Sequence, residues 1–274
     1  MHIDLHLHST ASDGTLSPAE LVDAAVAAHL DLIALSDHDT VGGVPGAMEA
    51  ARGRPLEVIP ALEVSSTFGD REIHILGYDV DPSEARLARH TVRAAELRAD
   101  RIRKMTVLLE DQGVHVTMDA VVEAAGPEAY ALGRPHLARA LVTAGYVGSA
   151  PEAFDRYIGD GHPAFLPTRL VTPDEAVGLI RDAGGTAVWA HPPQDLVDEL
   201  LPALVRAGLR GLEIYRPRTG PDRMMRLENV ARTSGLIRTG GSDWHGVETN
   251  GPLGTFWVTE EEVGGFLDQR PTRG

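Results

Sequence analysis

The chain has 274 residues, 40 of them acidic against 25 basic, a net charge of -15, and no cysteine. This balance excludes a broad, sequence-independent grip on a nucleic-acid backbone, which is built from lysine and arginine, and the missing thiols exclude disulfides and thiolate zinc sites. Any metal must rest on nitrogen and oxygen, a donor set that suits manganese, iron, zinc or magnesium.

The length allows a substantial core within one barrel-sized domain. No leader with a charged and then an apolar region precedes the first predicted strand, and no apolar run approaches membrane-spanning length, so the expected compartment is the cytoplasm. In His2-Ile3-Asp4-Leu5-His6-Leu7-His8, apolar and polar residues alternate with period two, the pattern of a strand with one apolar and one polar face. His6 and His8 then share a face, with Cα atoms roughly 6.6 Å apart, close enough to converge on one metal ion.

Ser17-Pro18-Ala19-Glu20 is a capping box with proline at the first helical position, so a helix runs from there to about Ala28. Leu32-Ile33-Ala34-Leu35 reads as a buried strand ending in Ser36-Asp37-His38-Asp39-Thr40, with a helix from about Gly43 to Arg52 behind it. Val58 to Leu62 is a strand ending in Glu63, and Glu72 to Tyr78 alternates again with His74 on its polar phase. From about Ser83 the pattern changes to a long basic helix, followed by helices near Met118 to Ala125, Arg134 to Ala144 and from Ser149. The arginine-rich run 86 to 104 reads as a solvated helix face. Strand and helix alternation resumes at Thr172-Pro173-Asp174-Glu175. Thr186 to Ala190 leads to His191, Gly211 to Tyr215 follows, and Leu236 to Gly240 leads to Asp243 and His245. A short apolar run, Thr255 to Val258, and a capped helix from Thr259 end the pattern.

Seven strands, near residues 3, 33, 59, 74, 188, 213 and 238, mostly separated by helices, imply a parallel sheet with right-handed crossovers. The expected fold is a distorted (β/α)7 barrel of the α/β class, formed by residues 1–82 and 168–274, with a helical insertion at 83–167 standing over the active face as a lid. Ligand-type side chains lie at or near strand ends: His6, His8, Asp13, His38, Glu63, His74, His191, Asp243 and His245. An open catalytic site takes three or four protein ligands per ion, so nine ligands suit two or three divalent ions. Three such ions with three carboxylates leave about +3, which should attract a phosphate ester.

These motifs carry a resemblance. His6-Leu7-His8-Ser9 with Ser12-Asp13-Gly14, Ser36-Asp37-His38-Asp39-Thr40, Pro60-Ala61-Leu62-Glu63, Glu72-Ile73-His74, Ala190-His191-Pro192 and Gly241-Ser242-Asp243-Trp244-His245 stand in the order found in the polymerase and histidinol phosphatase (PHP) family of metal-dependent phosphoesterases, which the chain resembles. The resemblance implies a trinuclear site, commonly manganese, with iron or zinc as alternatives. It places His6, His8, Glu63 and Asp243 on one ion, Glu63, His74 and His191 on a second, and Asp13, His38 and His245 on a third. It also implies attack by a metal-bridged hydroxide on a nucleoside 3',5'-bisphosphate, or on short single-stranded RNA from its 5' end. The acidic charge and the lid argue against duplex nucleic acid as substrate, and no membrane partner is expected.

Gly133-Arg134-Pro135-His136 matches an element of bacterial members and makes Arg134 and His136 candidate phosphate ligands. Asp37, Asp39 and His136 are candidate proton donors. Arg216 departs from the histidine expected there, which touches substrate detail more than metal binding. His2, His29, His90, His115 and His162 have no convergent partner in the sequence and read as incidental. A histidinol-phosphatase-like activity and a non-catalytic metal-binding module are the alternatives; lost ligands would mark the latter, and all nine are present.

Overall fold

The computed structural model describes residues 1–270. In chain order it contains β1 (Ile3–Leu7), α1 (Pro18–Ala27), β2 (Leu32–Leu35), α2 (Val44–Ala51), β3 (Glu57–Phe68), β4 (Arg71–Tyr78) and α3 (Ala85–Glu110). There follow α4 (Met118–Ala125), α5 (Arg134–Thr143), α6 (Ala150–Ala153) with a π-helical turn at Phe154–Ile158, α7 (Pro173–Asp182), β5 (Thr186–Trp189) and α8 (Val197–Ala207). The last elements are β6 (Gly211–Tyr215), α9 (Pro221–Ser234), β7 (Ile237–Gly240), α10 (Val247–Asn250) and α11 (Glu260–Leu267). The capping boxes at Ser17, Thr172 and Thr259 start α1, α7 and α11 as the sequence predicts, each with its glutamate bonded back to the cap. Among the described residues no helix is long and apolar enough to cross a membrane.

The seven strands form one sheet in sequence order. Its curl brings β1 against the loop after β7: His8 N donates to Trp244 O at 3.0 Å and Trp244 N to His6 O at 3.3 Å. At the opposite end of β1, Ile3 and Val258 exchange backbone hydrogen bonds of 3.0 and 2.8 Å. The expected all-parallel sheet needs one correction, since β4 runs antiparallel to both β3 and β5. The cause is local. β3 does not stop at Glu63 but continues to Phe68, and Gly69-Asp70, with Gly69 at φ 61°, turns the chain straight back into β4. His74 therefore sits in the first half of its strand yet reaches the face where the parallel strands end. It pairs across the hairpin with Ser65, two residues beyond Glu63.

Every residue of β1 is buried, so its polar phase faces the interior rather than solvent. The apolar phases of the strands pack with α7, α8, α9 and α11 around Trp189, Tyr78 and Phe266, and a smaller cluster lies beneath α1 and α2. A separate apolar cluster built on Ile102, Met105, Leu137 and Leu141 holds the helices of the segment between β4 and α7 to one another.

α3 corrects a further expectation. Its inward stripe runs Leu87, His90, Ala94, Arg98, Arg101, Ile102, Met105 and Leu109, so two arginines of the basic run are buried. Arg98 donates through Nε and Nη2 to Asp39 Oδ2 at 2.9 and 2.7 Å, and His90 Nε2 lies 2.9 Å from Asp39 Oδ1. His90 is thus no incidental histidine. Arg101 pairs with Glu72 at 3.0 Å. Arg98→Ala would leave the Asp39 carboxylate buried with only His90 and the Ser65 N–H beside it, and breaking a buried pair costs about 3–5 kcal/mol. Urea unfolding should show that loss, while Arg89→Ala, at an exposed position of the same helix, should leave the midpoint where it is.

Candidate metal centre

Glu63 lies at the centre of the strand ends with no exposed surface. Its Oε2 is 3.3 Å from His6 Nε2, 3.4 Å from His8 Nε2 and 3.1 Å from His38 Nδ1. Its Oε1 is 3.1 Å from His74 Nδ1 and 3.0 Å from His191 Nε2. Asp243 Oδ1 faces the same His6 and His8 nitrogens at 3.3 and 3.4 Å. Asp13 faces His245 at 3.4 Å, His38 at 3.8 Å and His8 Nδ1 at 3.9 Å.

All nine predicted residues therefore meet. Their facing atoms fall into three groups suited to an ion: His6, His8, Glu63 and Asp243; His38, Glu63 and His74; and His8, Asp13, His38 and His245. The first is the set expected for one ion. In the other two, His38 stands in the second group and His8 joins the third, while His191 reaches the cluster through Glu63.

The donor chemistry fits divalent cations. His6 Nε2, both ring nitrogens of His8, His38 Nδ1 and Glu63 Oε2 are buried without a hydrogen-bond partner among the described residues, and all belong to these groups. Buried polar atoms without partners are costly, and a shared cation satisfies several at once. Burial pushes the His8 imidazole down to about 3, helped by His245 and His38, so it is a neutral donor at pH 7. Burial opposes charge on Glu63 and Asp243 as well, but the surrounding imidazoles outweigh it and hold both carboxylates well below their usual range. Burial likewise works against a proton on His245, yet Asp13 and Asp243 raise it to about 9. His6 and His74 are raised in the same way by their carboxylate neighbours.

The backbone around the site is strained at two residues of the cluster. Asp243 and His191 sit at φ 54° and 32°, in the left-handed region that non-glycine residues seldom occupy. Gly241 lets this loop lie on β1, because a Cβ there would come within 2.5 Å of the backbone nitrogen of His6.

Two residues that sequence reasoning missed hold the candidate ligands in place. Glu213 Oε1 binds His6 Nδ1 at 2.8 Å, which turns Nε2 toward the cluster, and Oε2 accepts from His191 N at 2.8 Å. Asp4 Oδ1 accepts from His6 N at 3.2 Å and Ser242 N at 2.8 Å, stitching β1 to the loop after β7. The available signal was a lone carboxylate inside an apolar strand, in Gly211-Leu212-Glu213-Ile214-Tyr215 and again in β1.

The other predicted site residues are placed differently. Asp37 accepts from Ser9 N, Ser9 Oγ and Ser12 Oγ at 2.8, 2.7 and 2.6 Å, so it anchors the loop after β1; burial raises it to about 6. Burial also penalises charge on Asp39, but Arg98 and His90 keep it well below the carboxylate range, the state of an acceptor rather than of a proton donor. His136 is buried with Nδ1 accepting from Gly133 N at 2.9 Å, and burial lowers it to about 4. None of the three is among the facing atoms of the cluster. Arg134, expected to hold phosphate, is engaged by Glu72 at 3.0 Å and Asp160 at 2.7 Å and lies over the Phe154 and Phe165 rings. Arg216 bridges Asp243 Oδ2 at 2.6 Å and Glu213 Oε2 at 3.2 Å. A cleft of ≈ 470 Å³ opens beside Asp13, Asp243 and His245, with Pro135 of α5 and Phe154 of the π-helical turn on its wall.

Residues 4–142 match the PHP domain. The chain belongs to the PHP family. It is 36% identical over 250 residues to the 3',5'-nucleoside bisphosphate phosphatase of Chromobacterium violaceum, covering 89% of this chain and 87% of the relative. It is 32% identical over 249 residues to the 5'-3' exoribonuclease Rnm of Salmonella typhimurium, covering 88% and 84%. A solved structure from Bifidobacterium adolescentis, of a protein assigned as a metal-dependent phosphoesterase, superposes with TM-score 0.87 at 33% identity, over 97% of this chain and 95% of that one. This PHP-family chain is a metal-dependent phosphoric ester hydrolase with an α/β barrel-type fold.

Because His6, His74 and His245 are raised above the ordinary imidazole value without a metal, binding of an ion must displace protons, and affinity should fall on acidification. Adding manganese to metal-depleted protein at pH 7.5 should release protons, as read with an indicator dye in weak buffer. Elemental analysis should show two or more ions per chain in the wild type and a loss of at least one in Glu63→Gln. Asp243→Asn should lower turnover by several orders of magnitude, since it removes a charge from the four residues grouped around His6 and His8.

Proposed function

We propose that this chain removes phosphate from a nucleoside 3',5'-bisphosphate to leave the 5'-monophosphate, or trims short single-stranded RNA from its 5' end. It would use two or three divalent ions, manganese foremost and iron or zinc as alternatives, held by His6, His8, Asp13, His38, Glu63, His74, His191, Asp243 and His245. The observation that supports this most is the disposition of Glu63, whose two oxygens face five imidazoles and so offer a bridge between ions. When bound, the ions would polarise the phosphoryl oxygens and stabilise the leaving alkoxide.

The protein's own residues set the conditions. Glu213 orients His6, Asp4 fixes the strand end on which His6 stands, and Arg216 holds Asp243 so that Oδ1 points to the histidines. We take residues 83–167 as a lid that selects the substrate, because α5 and α6 supply one wall of the cleft beside Asp243. A small nucleotide or a single-stranded end fits such a cleft. The interior of a duplex offers no terminal phosphate to the cluster, and the net charge of -15 opposes tracking along it. We assign the protein to the cytoplasm, where such substrates arise.

Phosphate release with added manganese should be compared across adenosine 3',5'-bisphosphate, adenosine 5'-monophosphate, histidinol phosphate and a 5'-phosphorylated trinucleotide. The bisphosphate or the RNA should turn over fastest. Preference for histidinol phosphate, or equally rapid internal cutting of circular duplex DNA, would overturn the assignment.

A further inference from the structure

Most arginines near the cluster are committed to carboxylates; of the others among the described residues, Arg223 donates to the Pro192 carbonyl and Arg218 lines a different pocket, which leaves Arg139 in the cleft beside Asp13. Arg98 is held by Asp39, Arg101 and Arg134 by Glu72, and Arg216 by Glu213 and Asp243. Arg139 lines the ≈ 470 Å³ cleft together with Asp13, Asp155, Asp243, His245 and Glu248; the Asp13 and Glu248 carboxylates favour its charge, but among the described residues none closes an ion pair with it. Its one hydrogen bond is from Nη1 to the Asp13 carbonyl at 3.3 Å, and its Nε is buried with no partner. A half-buried guanidinium with spare donors in a cleft is an incomplete arrangement, because the fork is built to bind an anion through two or more N–H groups.

The rest of the cleft indicates what carries that anion. Pro135, Ala150, Pro151 and Phe154 give it an apolar wall, and its volume lies within the range that holds drug-sized or nucleotide-sized ligands. An aromatic ring on such a wall takes a base by stacking. We propose that Arg139 binds the second, non-scissile phosphate of a nucleoside substrate, with the base against the Phe154 wall and the scissile phosphate at the cluster. This rests on the phosphoesterase reading and moves phosphate recognition from Arg134 to Arg139. The placement explains why α5 lies along the loop after β1. His136 fixes the start of the helix, and Arg139, one turn on, faces the same loop at Asp13.

Two measurements test it. In manganese-loaded enzyme, Arg139→Met should lower kcat/KM on adenosine 3',5'-bisphosphate about ten- to a hundred-fold, the loss expected for a charged hydrogen bond, mainly through KM, and should lower turnover of an aryl phosphate much less. Arg139→Lys should recover part of the loss and keeps the charge if the methionine variant folds poorly. Separately, calorimetric binding of adenosine 5'-monophosphate to manganese-loaded protein should weaken by a similar factor in Arg139→Met, while Arg206→Met, at an exposed position of α8, should bind it like the wild type. Equal losses on both substrates would make Arg139 a structural tether of Asp13, and unaltered binding of the monophosphate would also overturn the assignment. If the wild type releases phosphate from no substrate, the phosphoesterase reading fails, and the binding measurement still judges Arg139 on its own.

Discussion

Five imidazole nitrogens surround one carboxylate, Glu63, from which water is excluded. A charge in that position is sustained only by opposite charge or by a metal, because the interior solvates it poorly. Protons can supply the compensation, and the raised values of His6, His74 and His245 show where they would reside. Protons satisfy the site incompletely, since both nitrogens of His8 and Nδ1 of His38 still have no hydrogen-bond partner. Divalent ions serve both needs at once, which ties the occupancy of the centre to the integrity of the strand ends.

The same centre explains the way the sheet closes. Strand ends carrying this much polar chemistry have to be positioned from behind, and the structure does so with buried carboxylates that stand outside the three groups. Asp4 joins β1 to the loop after β7, Glu213 ties β6 to His6 and His191, and Asp39 ties the end of β2 to α3 through Arg98. Each works by hydrogen bonds to a backbone nitrogen or a charged partner, the interactions that hold geometry most tightly in a low-dielectric interior. Asp39, His191 and Asp243 all take left-handed backbone conformations, strain that the surrounding contacts hold in place.

The segment between β4 and α7 has its own apolar cluster, but it is not a loosely attached cap. Buried ion pairs at Asp39–Arg98 and Glu72–Arg101 fasten α3 to the sheet, and Arg134 shares the Glu72 carboxylate. Glu72 lies two residues before His74, so the contacts that fasten the helices and those that aim a histidine share one strand. Substitutions in this segment are expected to act through β4 as well as through the cleft wall.

The sequence by itself determined the nine convergent side chains and the seven strands, because strand periodicity, capping boxes and His-x-His spacing are local signals that survive any packing. The family could be read for the same reason, as its motifs are short and lie at the strand ends. The antiparallel course of β4 was written only in Gly69-Asp70, a weak signal beside the strong expectation of a parallel barrel. The burial of Arg98 and His90, and the commitment of Arg134 to Glu72 and Asp160, could not be read from the sequence. A charged side chain on a helix looks solvated until a partner from another element is known, and Asp39 lies 59 residues from Arg98. Which arginines are engaged by carboxylates is decided by that long-range pairing, and so only the tertiary structure separates Arg139 from Arg98, Arg134 and Arg216.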